Sequence, residues 1–243
     1  MFIHYRTEGI ILNKKEKGEA DQIFTIYTKG FGMLFFLAKA ARKIKSKLRG
    51  GLRLFSLSKI EFIQGKTYKT LTDALSIERF SLIEKDLIRL RIAYRISEVL
   101  TNLIKEEVKD RRIWNFLVQV FEKLDNHNFS ADLVYYYFFW NFMDLAGYQP
   151  SIYHCSICQK KLVPDHFYFS SEQGGIICSQ CSKRTKSRTK SGTGIRVDLD
   201  LIKILRIILK KDWPQLEKIK IETSHLKSLK KISENYYLFL SSQ

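Results

Sequence analysis

The chain has 243 residues, of which 45% are hydrophobic, 28% charged and only three proline, a balance that excludes a disordered or low-complexity protein. Its length suits one large or two small folded domains. The 42 basic and 25 acidic residues leave a formal charge of +17, which attracts polyanions, nucleic acid foremost, and by itself says nothing about fold.

The charge is unevenly spread. Residues 1–80 carry 16 basic and 7 acidic residues, residues 81–150 carry 9 and 10, residues 151–196 carry 8 and 2, and residues 197–243 carry 9 and 6. Between Lys29 and Lys69 there are eleven basic residues and one acid, Glu61. Met1 leads directly into Phe2-Ile3-His4-Tyr5-Arg6, without the basic start and apolar run of a secretory signal. The longest mainly apolar stretch, Leu133–Met143, is interrupted by Asn141 and falls short of the roughly 20 residues that span a bilayer. A cytoplasmic protein without a membrane segment is expected, in which four cysteines serve as metal ligands rather than disulfides.

The first 80 residues read as strands and tight turns. Thr7–Leu12, Gln22–Thr28, Met33–Ala38, Lys59–Ile63 and Thr67–Leu75 are β-rich and evenly spaced, with turns at Lys17-Gly18-Glu19, Lys29-Gly30 and Gln64-Gly65-Lys66. Five short strands predict a small closed or nearly closed barrel, with the five-stranded OB-fold and its single-strand groove as the candidate. From Ser81 the apolar period becomes helical, with Leu82, Ile83, Leu87, Leu90 and Tyr94 on one stripe. Further helices are predicted over Ile96–Val108, Arg111–Leu124 and Ala131–Leu145, the last stopped by Gly147 and Pro150. The run Tyr135-Tyr136-Tyr137-Phe138-Phe139-Trp140 covers every side of its helix, which predicts a central core helix rather than a base-stacking platform. Residues 151–196 then break into turns, cysteines and a Lys/Arg/Ser/Thr/Gly tract. Helical spacing resumes near Asp198, with Leu199, Ile202, Leu205 and Leu209 on one face and Lys203, Arg206 and Lys210 on another. The expected class is α+β: a barrel over residues 1–80, then an all-helical domain over 81–243 carrying an inserted four-cysteine module at about 151–196.

Cys155-Ser156-Ile157-Cys158 and Cys178-Ser179-Gln180-Cys181 are two C-x2-C knuckles separated by nineteen residues. Each knuckle turns two sulfurs onto one side, and two knuckles supply four thiolates to one structural zinc ion per chain. Four thiolates leave no open position for water, which argues against catalysis at the metal. A redox C-x-x-C normally follows a βαβ pattern, and a zinc deaminase needs H-x-E before P-C-x-x-C; neither context is present. His154 and His166 lie close enough to replace a ligand and are read as ordinary neighbours. Gly65-Lys66-Thr67 is not the end of a phosphate loop, because the required glycine position holds Ile60. Gly192-Thr193-Gly194 lacks the third glycine of a dinucleotide fingerprint. The expectation is a binding protein, not an enzyme.

The principal cationic constellation is Lys39, Arg42, Lys43, Lys45, Lys47, Arg49 and Arg53, interleaved with Ser46, Gly50 and Gly51, small residues that let a backbone approach a bound strand. Such cations neutralise phosphates and release counterions, giving salt-sensitive affinity without sequence preference. A solvated loop is the bland alternative. Lys183, Arg184, Lys186, Arg188 and Lys190 follow the last cysteine as an auxiliary cluster, either a flexible DNA-binding arm or a disordered tract.

Together these pieces resemble one family, the RecO recombination mediators. The N-terminal likeness lies in Glu8-Gly9-Ile10-Ile11-Leu12, Gly18-Glu19-Ala20-Asp21 and Thr28-Lys29-Gly30. It continues through Ala38-Lys39-Ala40-Ala41-Arg42-Lys43, Lys45-Ser46 and Gly51-Leu52. Gly147-Tyr148-Gln149-Pro150, Gly174-Gly175 and the two cysteine pairs extend it to roughly residues 5–181. Two positions depart from the pattern: Gln159 stands where a glycine often follows the second cysteine, and Leu54 replaces a proline at the exit of the basic loop.

The resemblance implies an OB-fold, a helical domain with a zinc module that some members lack, and no nucleotide hydrolysis. It implies binding and annealing of single- and double-stranded DNA in repair, and recombinase loading onto strands coated by single-strand-binding protein, with RecR as partner. It also implies a bacterial, nucleoid-associated location. A zinc-ribbon RNA-binding or ribosome-associated factor would follow the same charge logic. A nuclease or RNA-modifying enzyme ranks third, for want of convergent carboxylates or a nucleophile.

Overall fold

The computed structural model describes residues 3–65, 67–104, 109–163, 166–186 and 194–242, the side chain of Lys186 excepted. Alternating apolar residues close the N-terminal strands on themselves. β1 (His4–Lys17), β2 (Asp21–Thr28), β3 (Gly32–Ala38), β4 (Leu57–Gln64) and β5 (Lys69–Glu78) form a closed, OB-like barrel in the order β1-β2-β3-β5-β4. The seams are antiparallel except β3–β5, where Phe36 meets Lys69 and Leu37 meets Thr70 in parallel. Ile11, Phe24, Ile26, Leu34, Phe36, Ile60, Phe62 and Leu71 fill the interior.

β1 is longer than its apolar segment predicts, because its first half pairs with β4 and its second with β2. The polar stretch Lys14–Lys17 stays extended, its backbone satisfied by pairing with Asp21–Phe24 while its side chains face water. A bulge between Ile11 and Asn13 omits Leu12 from the register and bends the strand around the barrel.

The chain divides into two compact units, Met1–Val134 and Tyr135–Gln243. In the first, α1 (Ser81–Lys85), α2 (Leu87–Leu103) and α3 (Arg111–Leu124) follow the barrel. The helical register breaks at Asp86, not near Tyr94 as the apolar stripe predicts. Asp86 is extended, and its carboxylate accepts from the N–H groups of Ile88 and Arg89, capping a new helix that runs on through Ile96. That restart resets the phase: Leu87 and Tyr94 are exposed, while Ile92, Ala93, Ile96, Val99 and Leu100 are buried. The predicted end at Val108 lies outside the described residues. Phe55 packs edge-on against Tyr94 and stacks on Phe121, which also meets Phe80.

α3 and α4 (Ala131–Leu145) match their predicted bounds. In the second unit every residue from Tyr135 to Met143 is buried, as an all-round apolar helix requires. Asn141 is fully buried within that run because its side-chain amide donates to the carbonyls of Tyr137 (2.8 Å) and Ile208 (2.9 Å). Trp140 stacks on Tyr236, whose edge meets Phe169. β6 (Phe167–Ser170), β7 (Gly175–Cys178) and β8 (Ile195–Val197) form a small sheet, order β7-β6-β8. α5 (Ser179–Lys186), α6 (Leu199–Leu209), α7 (Trp213–Glu217) and α8 (Thr223–Ser241) complete the unit. In α6 the buried face is Leu201, Ile202, Ile204, Leu205 and Ile208, whereas Leu199 is exposed. Arg206 is not a solvated cation: its guanidinium donates twice to the Ile152 carbonyl and lies over the Tyr153 ring. Among the described residues, no helix is long and apolar enough to cross a membrane.

Candidate functional site

The two knuckles converge through the small sheet. Cys178 ends β7 and Cys181 sits in the first turn of α5, so strand and helix set the second pair. The first pair is held beside it by a bridge between Ser151 and Gly175 and by the Ser156 N–H donating to the Ile176 carbonyl (2.8 Å). Gly175 has φ +153°, and a Cβ there would meet the Ser151 oxygen at 2.3 Å, so only glycine permits this approach. The turn after Cys158 places Gln159 at φ +58°. This left-handed conformation is one that glycine takes without strain; Gln159 adopts it while its side chain donates to the Ser156 carbonyl.

The four sulfurs lie within 4.8 Å of one another, with Cys158 and Cys178 4.0 Å apart. Tetrahedral zinc with bonds of about 2.3 Å sets its sulfurs about 3.8 Å apart, so the cluster fits the ion with small adjustment. Burial opposes ionisation of Cys155, yet N–H groups of the two knuckles, that of Cys178 among them (3.4 Å), outweigh it and bring the thiol down to about 7. Burial, then the three neighbouring sulfurs, pushes Cys181 up to about 12. Holding all four sulfurs as thiolates at these distances would need a cation among them. His154 and His166 are outside the cluster; the His166 ring instead meets Arg196 at 3.1 Å.

The basic segment between β3 and β4 is a plug for one end of the barrel rather than a free loop. Ala41, Leu48 and Leu52 are buried in the barrel core. At its start the Ala40 N–H donates to the Asp21 carboxylate (2.7 Å) and the Arg42 N–H to the Ala20 carbonyl (3.0 Å). At its end the Phe55 N–H donates to the Ile11 carbonyl (2.8 Å) and the Ile11 N–H to the Ser56 carbonyl (3.1 Å). Gly51 packs against β5, where a Cβ would come within 2.2 Å of the Ala74 oxygen; Gly50 faces open space. Of the two glycines, then, one serves the barrel and only the other is free to approach a ligand.

Anchoring at both ends aims part of the cationic set. Arg42, Arg49 and Arg53 line one cleft of about 550 Å³, floored by Phe24, Leu52 and Leu54. Lys39, Lys43, Lys45 and Lys47 are exposed but do not line it. Lys14 and Gln22 do; Lys14 lies beyond the predicted end of the first strand at Leu12, and Gln22, inside the second predicted strand, carries no charge to single it out. The lysine-rich stretch Lys14-Lys15-Glu16-Lys17, continuing an apolar strand, is the signal that would have found Lys14. Exposed carboxylates partner two of the arginines: Glu16 with Arg42 at 3.3 Å and Glu84 with Arg53 at 3.4 Å. Such pairs exchange readily for phosphate. In the auxiliary cluster, Lys183 and Arg184 are exposed on α5; Lys186 closes that helix, and Arg188 and Lys190 lie outside the described residues.

Comparison with known proteins finds matches over nearly the whole chain. The family models described as "Recombination protein O N terminal" and "Recombination protein O C terminal" match residues 1–80 and 84–241. A DNA repair protein RecO of Dehalococcoides mccartyi is 34% identical over 225 residues, covering 93% of this chain and 86% of the relative. RecO proteins of Caldanaerobacter subterraneus (28% identical; 89% and 84% covered) and Alkaliphilus metalliredigens (26%; 96% and 92%) are also similar. An OB-like barrel with a basic plug, a helical C-terminal part, a clustered cysteine quartet and these matches together make the chain a member of the RecO family of DNA repair proteins.

Proposed function

We propose that this chain is a non-enzymatic DNA-binding mediator. It holds single- and double-stranded DNA through phosphates, anneals complementary strands and assists recombinase loading onto strands coated by single-strand-binding protein, with RecR as partner. The observation that carries this reading is the convergence of Arg42, Arg49, Arg53 and Lys14 on one cleft of a rigid barrel. Fixed cations on a closed scaffold lose little entropy on binding, and neutralising phosphates lowers the repulsion that keeps two strands apart. Lys39, Lys43, Lys45 and Lys47 extend the cationic surface, and Lys183, Arg184, Lys186, Arg188 and Lys190 act as an auxiliary patch. Residues 1–80 form the DNA-binding domain; residues 81–243 dock protein partners.

Cys155, Cys158, Cys178 and Cys181 bind one structural zinc ion, which supports the insertion at about 151–196 and takes no part in a reaction. The site of action is the bacterial cytoplasm, at the nucleoid. The test is oligonucleotide binding at several salt concentrations. Arg42→Gln/Arg49→Gln/Arg53→Gln should weaken binding and flatten the log–log salt slope by about 0.7 for each single-strand phosphate left without its cation. Lys183→Gln/Arg184→Gln should do so less. Parental binding by the triple variant overturns the reading.

A further inference from the structure

The barrel carries a second cationic cleft that the basic plug does not form. It has a volume of about 490 Å³ and is lined by Arg6, Lys29, Lys59, Lys109 and Arg111, with Glu8 as its carboxylate. These cations come from β1, the β2–β3 turn, β4, the residue before the α3 cap and the first residue of α3, so barrel closure and helix docking assemble a site that no local stretch of sequence encodes. Lys29 is paired with Glu8 (2.9 Å) and Arg6 with Glu61 (2.6 Å), which also binds His4. Among the described residues Lys59, Lys109 and Arg111 have no carboxylate in ion-pair range, and all three are exposed. The N-terminus of α3 is not the attraction, since Asp110 already caps it. Like charges gathered without partners raise the local potential and concentrate anions.

The two clefts lie toward opposite ends of β1, Arg6 at one and Lys14 at the other, with about 25 Å of strand contour between them. The outer face of β1 between them is closed to a strand of nucleic acid. Ile10 and Leu12 are fully buried there, and the Ser97 hydroxyl of α2 donates to the Leu12 carbonyl. A polyanion in one cleft therefore has no path along β1 to the other.

We infer that the Arg6–Lys29–Lys59–Lys109–Arg111 cleft binds the phosphates of a second DNA strand, so that one chain holds two strands at once. This rests on the proposal that the plug cleft holds the first. Both strands, their phosphates screened, are then held on one chain for pairing.

The experiment uses the full chain with two non-complementary single-stranded oligonucleotides carrying donor and acceptor dyes, and a complementary pair for annealing. The parent should capture both labels on one protein. Lys59→Gln/Lys109→Gln/Arg111→Gln should keep its affinity for the first strand, lose co-capture, and slow annealing by at least about tenfold, since the second strand's phosphates are no longer neutralised. Lys59→Arg/Lys109→Arg/Arg111→Lys, which preserves the charges, should restore both. The inference is overturned if the parent captures one strand only. It is equally overturned if the glutamine variant co-captures and anneals like the parent, as it would if the cleft served an acidic protein, or if that variant loses first-strand binding. Failure of the plug-cleft reading shows separately, as parental first-strand affinity in Arg42→Gln/Arg49→Gln/Arg53→Gln.

Discussion

The Ser97 hydroxyl on α2 donates to the carbonyl of Leu12 at 2.9 Å, at the bulge where β1 omits that residue from its register with β2. A buried carbonyl left out of the ladder thus finds its partner on a helix, and the bond pins α2 over the bend in the strand. Ser97→Ala should cost about 1–3 kcal/mol, the penalty of an orphaned buried acceptor, read from the urea midpoint at an unchanged slope.

Asp110 caps α3, accepting from the N–H groups of Arg112 (2.7 Å) and Ile113 (3.4 Å). Hydrogen bonding from the Arg112 side chain, aided by those N–H groups, holds its carboxyl below the ordinary carboxylate range. A carboxylate whose folded value is depressed stabilises the fold above its unfolded value and stops doing so as pH falls through the folded one. Asp110→Ala should therefore lose about 1 kcal/mol at neutral pH. The difference from the parent should shrink in acid, and thermal unfolding across that range checks it.

Purified protein should contain about one zinc per chain, and Cys178→Ser should lower that content and the melting temperature together. Oligonucleotide affinity at low temperature should change little, because the principal cations proposed to bind DNA lie on the barrel and its plug, and only the auxiliary patch adjoins the cysteines. Metal analysis beside a binding titration separates the two effects.

Two glycines should respond oppositely to the same change. Gly175→Ala forces a Cβ to within 2.3 Å of a backbone oxygen at φ +153° and should cost about 3 kcal/mol or more, with loss of metal. Gly50→Ala meets nothing within 4 Å and should stay within about 0.5 kcal/mol of the parent. Denaturant melts and zinc content of both variants provide the measurement.

What the sequence determined by itself was whatever depends on neighbours along the chain. Helical periodicity delimits Arg111–Leu124 and Ala131–Leu145 because each face is written at three- and four-residue spacing. The cysteine knuckles are legible because each turn spans four residues. A same-spacing stripe can still mislead: Leu82 to Tyr94 reads as one helix, but Asp86 offers the backbone a better cap and shifts which side is buried. The short strands β6 to β8 carry too few residues for a period, and β1 continues through the charged stretch Lys14–Lys17 because pairing with β2 satisfies its backbone. Which cations share a cleft was decided only in three dimensions. Lys14 joins Arg42, Arg49 and Arg53, and Lys59 joins Lys109 and Arg111, across separations that only barrel closure and helix docking bridge, since long-range placement follows buried packing and not the charges themselves.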